Sequence, residues 1–158
     1  GPVEAAASTA RALAVHEFHA VLHVGLAGGR GIDVGEVVVG TEAVYLDLSA
    51  EWPVLDRLEP DARLVQEACA ALPGAHTSPI HTSAAVGACN SLLQSPLVEA
   101  MEGFGVLRAA LLASVPAVEV RAISNMLGES YRARWQIEDG LQALDDALPR
   151  LVAALDAS

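Results

Sequence analysis

The feature that most constrains this chain is its alternation of short apolar, β-branched runs with longer alanine- and leucine-rich stretches at helical spacing. The runs 20–26, 34–48, 77–86 and 117–124 read as strands. Val3 to Glu17, Asp61 to Leu72, Leu97 to Ser114 and the segment from Arg134 onward read as helices. Pro2 suits a first helical turn, and Pro73-Gly74 closes the second helix. The first strand is expected to stop at Gly25-Leu26-Ala27-Gly28-Gly29, and the run 34–48 to make one or two strands broken near Gly40. Pro79 weakens the strand 77–86, and Pro149 kinks or splits the last helix, whose apolar stripe is Trp135, Ile137, Leu141, Leu144, Leu148, Leu151 and Leu155. Strand followed by helix, repeated, predicts a mainly parallel α/β sheet with ligands gathered beyond the strands' carboxyl ends.

Length and charge narrow the function classes. With 158 residues, 53% hydrophobic and 18% charged, the chain can bury a substantial core, and it is expected to form a single domain over residues 1–158. Acidic residues number 20 against 9 Lys plus Arg, for a net charge of −11, and no basic stripe is present to follow a phosphate backbone. Nucleic acid is therefore excluded as the expected partner. Arg108, Glu119 and Arg121 interrupt the most hydrophobic stretch, so no run reaches the roughly 18 apolar residues of a membrane span. Cys69 and Cys89 make neither a disulfide framework nor a metal spacing, and no signal segment opens the chain. A cytoplasmic location is the expectation.

Three segments carry chemistry. They are Val24-Gly25-Leu26-Ala27-Gly28-Gly29 followed by Asp33-Val34-Gly35-Glu36-Val37-Val38-Val39, then Ala100-Met101-Glu102-Gly103, then Arg121-Ala122-Ile123-Ser124-Asn125. In order and spacing they resemble the purine nucleoside phosphorylase and nucleosidase superfamily, and within it the futalosine hydrolase branch. Trp135-Gln136-Ile137 with Ala143-Leu144 is similar to that branch's closing helix. The resemblance implies a phosphorylase/hydrolase-like three-layer α/β/α fold with a mixed, mainly parallel central sheet.

It also implies an N-ribosyl hydrolase that splits a purine nucleoside, futalosine foremost, into hypoxanthine and a dehypoxanthinyl product on the route to menaquinone. Breaking an N-glycosidic bond passes through an oxocarbenium-like sugar, so a site must hold the ribose hydroxyls, stabilise the departing purine and admit water. By resemblance Glu102 accepts the ribose 2′ and 3′ hydroxyls while Met101 packs against sugar or base. Asn125 offers one acceptor and two donors, which suits N7–H and O6 of a 6-oxopurine; the family's adenine-specific members carry aspartate at that position. Glu102 and Asn125 are thus the expected catalytic residues, with Met101, Ala27, Gly28, Val86 and Ser124 binding substrate. The stretch 84–88 is expected to pass the purine edge.

Related phosphorylases hold orthophosphate with an arginine and a serine near the glycine-rich loop, where this chain has His23 and Leu26. Leucine has no donor and a neutral imidazole replaces a guanidinium poorly, so water is the expected nucleophile. No cofactor or metal is expected, because His16, His19 and His23 straddle a helix end and a strand and would diverge. Asp47 and Glu42 could orient loops or stay solvated, while Tyr45, Trp52 and Trp135 suit core or interface positions. The resemblance further implies a homo-oligomer, with Trp52 and the loop at Pro53 at the interface. The familiar fold has two or more strands before the segment matching Gly1-Pro2, the first carrying a water-activating glutamate. The resemblance thus implies that about a quarter of the expected domain is absent, and slow or absent hydrolysis by these 158 residues is the expectation. Two alternatives remain: a methylthioadenosine/adenosylhomocysteine nucleosidase, disfavoured by Asn125, and a non-catalytic nucleoside-binding remnant of the same fold.

Overall fold

A computed structural model of the chain describes residues 1–48, 50–86 and 97–156. Helix α1 (Pro2–Val15) leads into strand β1 (Val21–Arg30), followed by β2 (Val37–Tyr45) and the two-residue β3 (Arg57–Leu58). Helix α2 (Ala62–Ala71), strands β4 (His76–Thr82) and β5 (Leu97–Ala100), helix α3 (Gly103–Leu112), strand β6 (Ala117–Met126) and helix α4 (Ile137–Asp156) complete the order. Asp61 starts α2 by accepting a hydrogen bond from the Leu64 amide at 3.0 Å, satisfying a donor that the first helical turn leaves free. Glu138 and Asp139 place negative charge in the first turn of α4, where the helix dipole favours it.

The sheet runs β3-β2-β4-β5-β1-β6, and an added β2–β6 pairing joins its far strands so that five strands close into a ring. Its two longest ladders, β1 with β6 and β2 with β4, are parallel, while β1–β5 and β2–β6 are antiparallel. Each ring strand sends a side chain into one cluster: Ala27 from β1, Val38 from β2, Ile80 from β4, Val98 from β5 and Ile123 from β6. Outside the ring, Val39, Val118 and Val120 pack against Leu64 of α2 and Leu151 of α4. On the other side Ala43, Leu58 and Ala117 meet Phe104 and Leu107 of α3, with Leu13 of α1 behind them. The layers are therefore helix, curled sheet, helix, with a mixed and mainly parallel sheet.

Several boundaries differ from the sequence reading, each for a physical reason. β1 does not stop at its glycines; it runs through them to Arg30, because β5 and β6 supply hydrogen-bonding partners on both sides of that segment. A register shift between Ala27 and Gly28 accommodates one extra residue of β6, Ser124. β2 is one strand, with its irregularity at Gly40–Glu42, where it parts from β6. Leu97–Ala100 is a strand rather than the first turn of a helix, since Val98 is drawn into the ring. β4 ends at Thr82, whose hydroxyl accepts from the Phe104 amide at 2.8 Å and so fixes the start of α3. α4 continues through Pro149 without splitting, and its buried stripe is Gly140, Leu144, Ala147 and Leu151, with Leu141 outside it.

Candidate functional site

The carboxyl halves of β1 and β6, together with the turn after β5, enclose a cavity of about 130 Å³. Its lining includes all seven residues that the sequence singled out: Ala27, Gly28, Val86, Met101, Glu102, Ser124 and Asn125. Leu26, Glu99, Ala100, Leu127, Gly128 and Trp135 line it too. Trp135 thus faces the cavity rather than serving only as a core or interface anchor, and its indole N–H donates to the Glu129 carbonyl at 2.9 Å. Gly87 and Ala88, the end of the stretch expected at the purine edge, lie outside the described residues, as does Cys89.

The bulge at Ser124 builds one side of the site. It brings Asn125 opposite Gly28, and a Cβ at position 28 would stand 3.0 Å from the Asn125 amide nitrogen. The amide therefore lies over bare backbone. Asn125 Oδ1 accepts from the Ser124 hydroxyl at 2.9 Å and Nδ2 donates to the Met126 carbonyl at 3.2 Å. One acceptor lone pair and one N–H remain, as many as N7–H and O6 of a 6-oxopurine would use.

Glu102 stands on the other side, at the start of α3, with its side chain 32% exposed. Oε2 of its carboxylate accepts from the Arg121 guanidinium at 3.3 Å, and Oε1 lies 3.5 Å from the Gly1 ammonium. Arg121 is itself buried and is shared with Glu119 at 2.7 Å and His23 at 2.6 Å. His23 is pushed down to about 3 by burial, reinforced by the Arg121 charge, so its neutral ring accepts from the guanidinium. Burial pushes the Glu119 carboxyl up, against the pull of Arg121. The sequence reading missed this cluster. It takes Arg121 as the first residue of the third segment and Glu119 as an interruption of a hydrophobic stretch, whereas in the sheet they stand beside His23 and Gly25 of β1, and the bare Gly25 leaves room for the guanidinium.

The remaining candidates have separate places. Asp47 accepts from the Ala84 amide at 2.6 Å and the Ser83 hydroxyl at 3.2 Å, and so orients the loop that carries Val86. Glu42 pairs with Arg57 at 2.9 Å, away from the cavity, and Tyr45 stacks on Phe104. Among the described residues no group of three or more His, Cys, Asp or Glu could hold a metal ion, and no helix is long and apolar enough to cross a membrane.

A curled α/β sheet whose cavity sets a carboxylate and a carboxamide on opposite walls is the build of a small-molecule α/β enzyme. The family is more particular: residues 1–158 match the model of the phosphorylase superfamily, and the chain belongs to it. It is 37% identical over 182 aligned positions to the futalosine hydrolase of Streptomyces coelicolor, covering 99% of this chain and 77% of that protein. It is 32% identical over 167 positions to the futalosine hydrolase of Acidothermus cellulolyticus, covering 90% of this chain and 68% of the relative. In fold it is similar to a 5′-methylthioadenosine/S-adenosylhomocysteine nucleosidase of Colwellia psychrerythraea in complex with adenine, with a TM-score of 0.85 at 20% identity over 98% of this chain and 75% of the other. The native futalosine hydrolase of Helicobacter pylori also superposes with a TM-score of 0.85, at 18% identity over 97% of this chain and 76% of that one.

Proposed function

We propose that the chain is a nucleosidase that cleaves the N-glycosidic bond of a purine nucleoside, with futalosine as substrate, hypoxanthine as the released base and water as nucleophile. The observation that carries this reading is the pairing of Glu102 and Asn125 across one cavity. Glu102 accepts the ribose hydroxyls, and its negative charge stabilises the sugar as it becomes cationic. Asn125 receives the departing base, accepting from N7–H and donating to O6. Met101 packs against the sugar, Ala27 and Gly28 bring bare backbone to the ligand, Ser124 orients the Asn125 amide, and Val86 borders the base. The two futalosine hydrolase relatives, each above 30% identity, favour this substrate over methylthioadenosine. The protein acts in the cytoplasm as one domain and as a homo-oligomer, with exposed Trp52 and Leu55 among the contacts.

The test is hypoxanthine release from futalosine, followed with and without phosphate, beside calorimetric binding of the same nucleoside. Release by these 158 residues, slow at most, is expected to be independent of phosphate. Cleavage only with phosphate would overturn the choice of water, and preferential adenine release from methylthioadenosine would overturn the substrate. Binding without release identifies the non-catalytic alternative.

A further inference from the structure

Behind the cavity wall lies a polar cluster that the proposed chemistry does not use. On β6, Glu119 is 1% exposed and Arg121 3% exposed. Every edge of the Arg121 guanidinium is held: Nε by Glu119 Oε1, Nη1 by the Leu26 carbonyl, and Nη2 by His23 and by Glu102. Two glycines make the room. A Cβ at Gly25 would land on the guanidinium, and one at Gly103 would land on the Glu119 carboxylate. The second oxygen of Glu119 has no hydrogen-bond partner and lies at the N-terminal turn of α3, one residue after Glu102. A buried ion pair kept only for packing is often replaceable by apolar side chains. This pair differs because one edge of its guanidinium ends on Glu102, a carboxylate in the cavity.

We propose that Glu119 and His23 are positioning residues, which act through Arg121 to hold Glu102 in the orientation that a ribose diol requires. Glu119 and His23 touch no ligand. They fix the plane of the guanidinium, and the guanidinium fixes Oε2 of Glu102, a carboxylate that lines the cavity. Without Glu119, the buried cation has Glu102 as its remaining anionic partner and draws that carboxylate out of the site. The inference rests on the nucleoside reading of the cavity, and it predicts a loss confined to the sugar.

The experiment measures the binding of two probes, hypoxanthine and a hypoxanthine C-nucleoside whose carbon–carbon link to ribose is not hydrolysed. Glu119→Leu is expected to weaken the C-nucleoside about tenfold or more while hypoxanthine stays within about twofold, as the loss of a hydrogen bond to a charged group implies. Glu119→Gln, which keeps an acceptor for Arg121 Nε, should recover part of the loss. If Glu119→Leu fails to fold, His23→Leu makes the same test from the other edge of the guanidinium, with His23→Gln as the conservative rescue. Parallel loss of both probes would reduce the cluster to a structural role, and unchanged C-nucleoside binding would uncouple it from Glu102; either result overturns the proposal. Unmodified protein that binds hypoxanthine but not the C-nucleoside would instead sink the nucleoside reading, and this inference with it.

Discussion

At the scale of single residues, the proposed function makes Asn125 the selector of the purine. Its free acceptor and donor match a 6-oxopurine, whereas adenine would set an amine donor against an amide donor. A mismatch of that kind costs about 1–3 kcal/mol, or roughly ten- to a hundredfold in preference. Asn125→Asp should therefore move preference towards adenine nucleosides, read by timing hypoxanthine and adenine release from matched substrates. An unchanged ratio would remove Asn125 from base recognition. His23 makes a second prediction, in stability. Its folded pKa of about 3 lies below the unfolded value near 6.5, so unfolding takes up a proton between those limits, and the His23 contribution is lost as pH falls. Glu119, raised in the fold, contributes in the opposite sense, gaining as pH falls. Replacing His23 by glutamine removes the first contribution alone. Urea unfolding at about pH 6.5 and about pH 4.5 should show the variant losing about 2 kcal/mol less than the parent between the two. Equal losses would mean that His23 is protonated in the folded state.

At the scale of elements, α4 ties the ring to the outer layer through Leu151, which is fully buried against Val118, Val120 and Leu64. Leu151→Ala should cost about 2–5 kcal/mol, seen as a lower urea midpoint with an unchanged slope, because the cavity cannot collapse between a sheet and two helices. A loss below about 1 kcal/mol would mean that α4 packs loosely. The elements differ in how far local sequence reveals them. α1, α2 and α4 carry their own periodicity, so α1 and α2 were legible within two residues and the start of α4 within three. β5 was not. Leu97-Val98-Glu99-Ala100 is too short for a period of two to stand out, and its extended form is imposed by β1 and β4, which are remote in sequence. Likewise the glycines of β1 read as a stop, because nothing local announces that β5 will pair with them. Of the seven expected residues that line the cavity, all but Val86 were legible because they sit in the three contiguous motifs. Glu99 and the Glu119–Arg121–His23 cluster were not, since their meaning depends on which residues of β1 and β4 stand beside them.

At the scale of the whole molecule, the surface carries large apolar side chains that a lone copy leaves wet. Trp52 is 69% exposed, and Leu55 three positions on is 48% exposed. Association of identical copies through this loop would cover them. Sedimentation at micromolar concentration should show a dimer or larger species, and Trp52→Glu should shift it towards monomer. A monomer that persists across the concentration range would refute association.

The closed ring also sets how quickly the chain can reach its native form. Its bonds join distant residues: the Ser124 hydroxyl meets the Ala27 carbonyl across 97 positions, and Arg121 meets His23 across 98. Helices of this length form in about a microsecond or less, but a loop of that size must lose its closure entropy before any ring contact repays it. Refolding should therefore be governed by β1–β6 docking, on the order of milliseconds to seconds, with helical structure ahead of it. The cavity assembles only with that docking, since Gly28 and Asn125 approach each other there and nowhere earlier. A ligand of this site can bind only after the slowest step of folding is over.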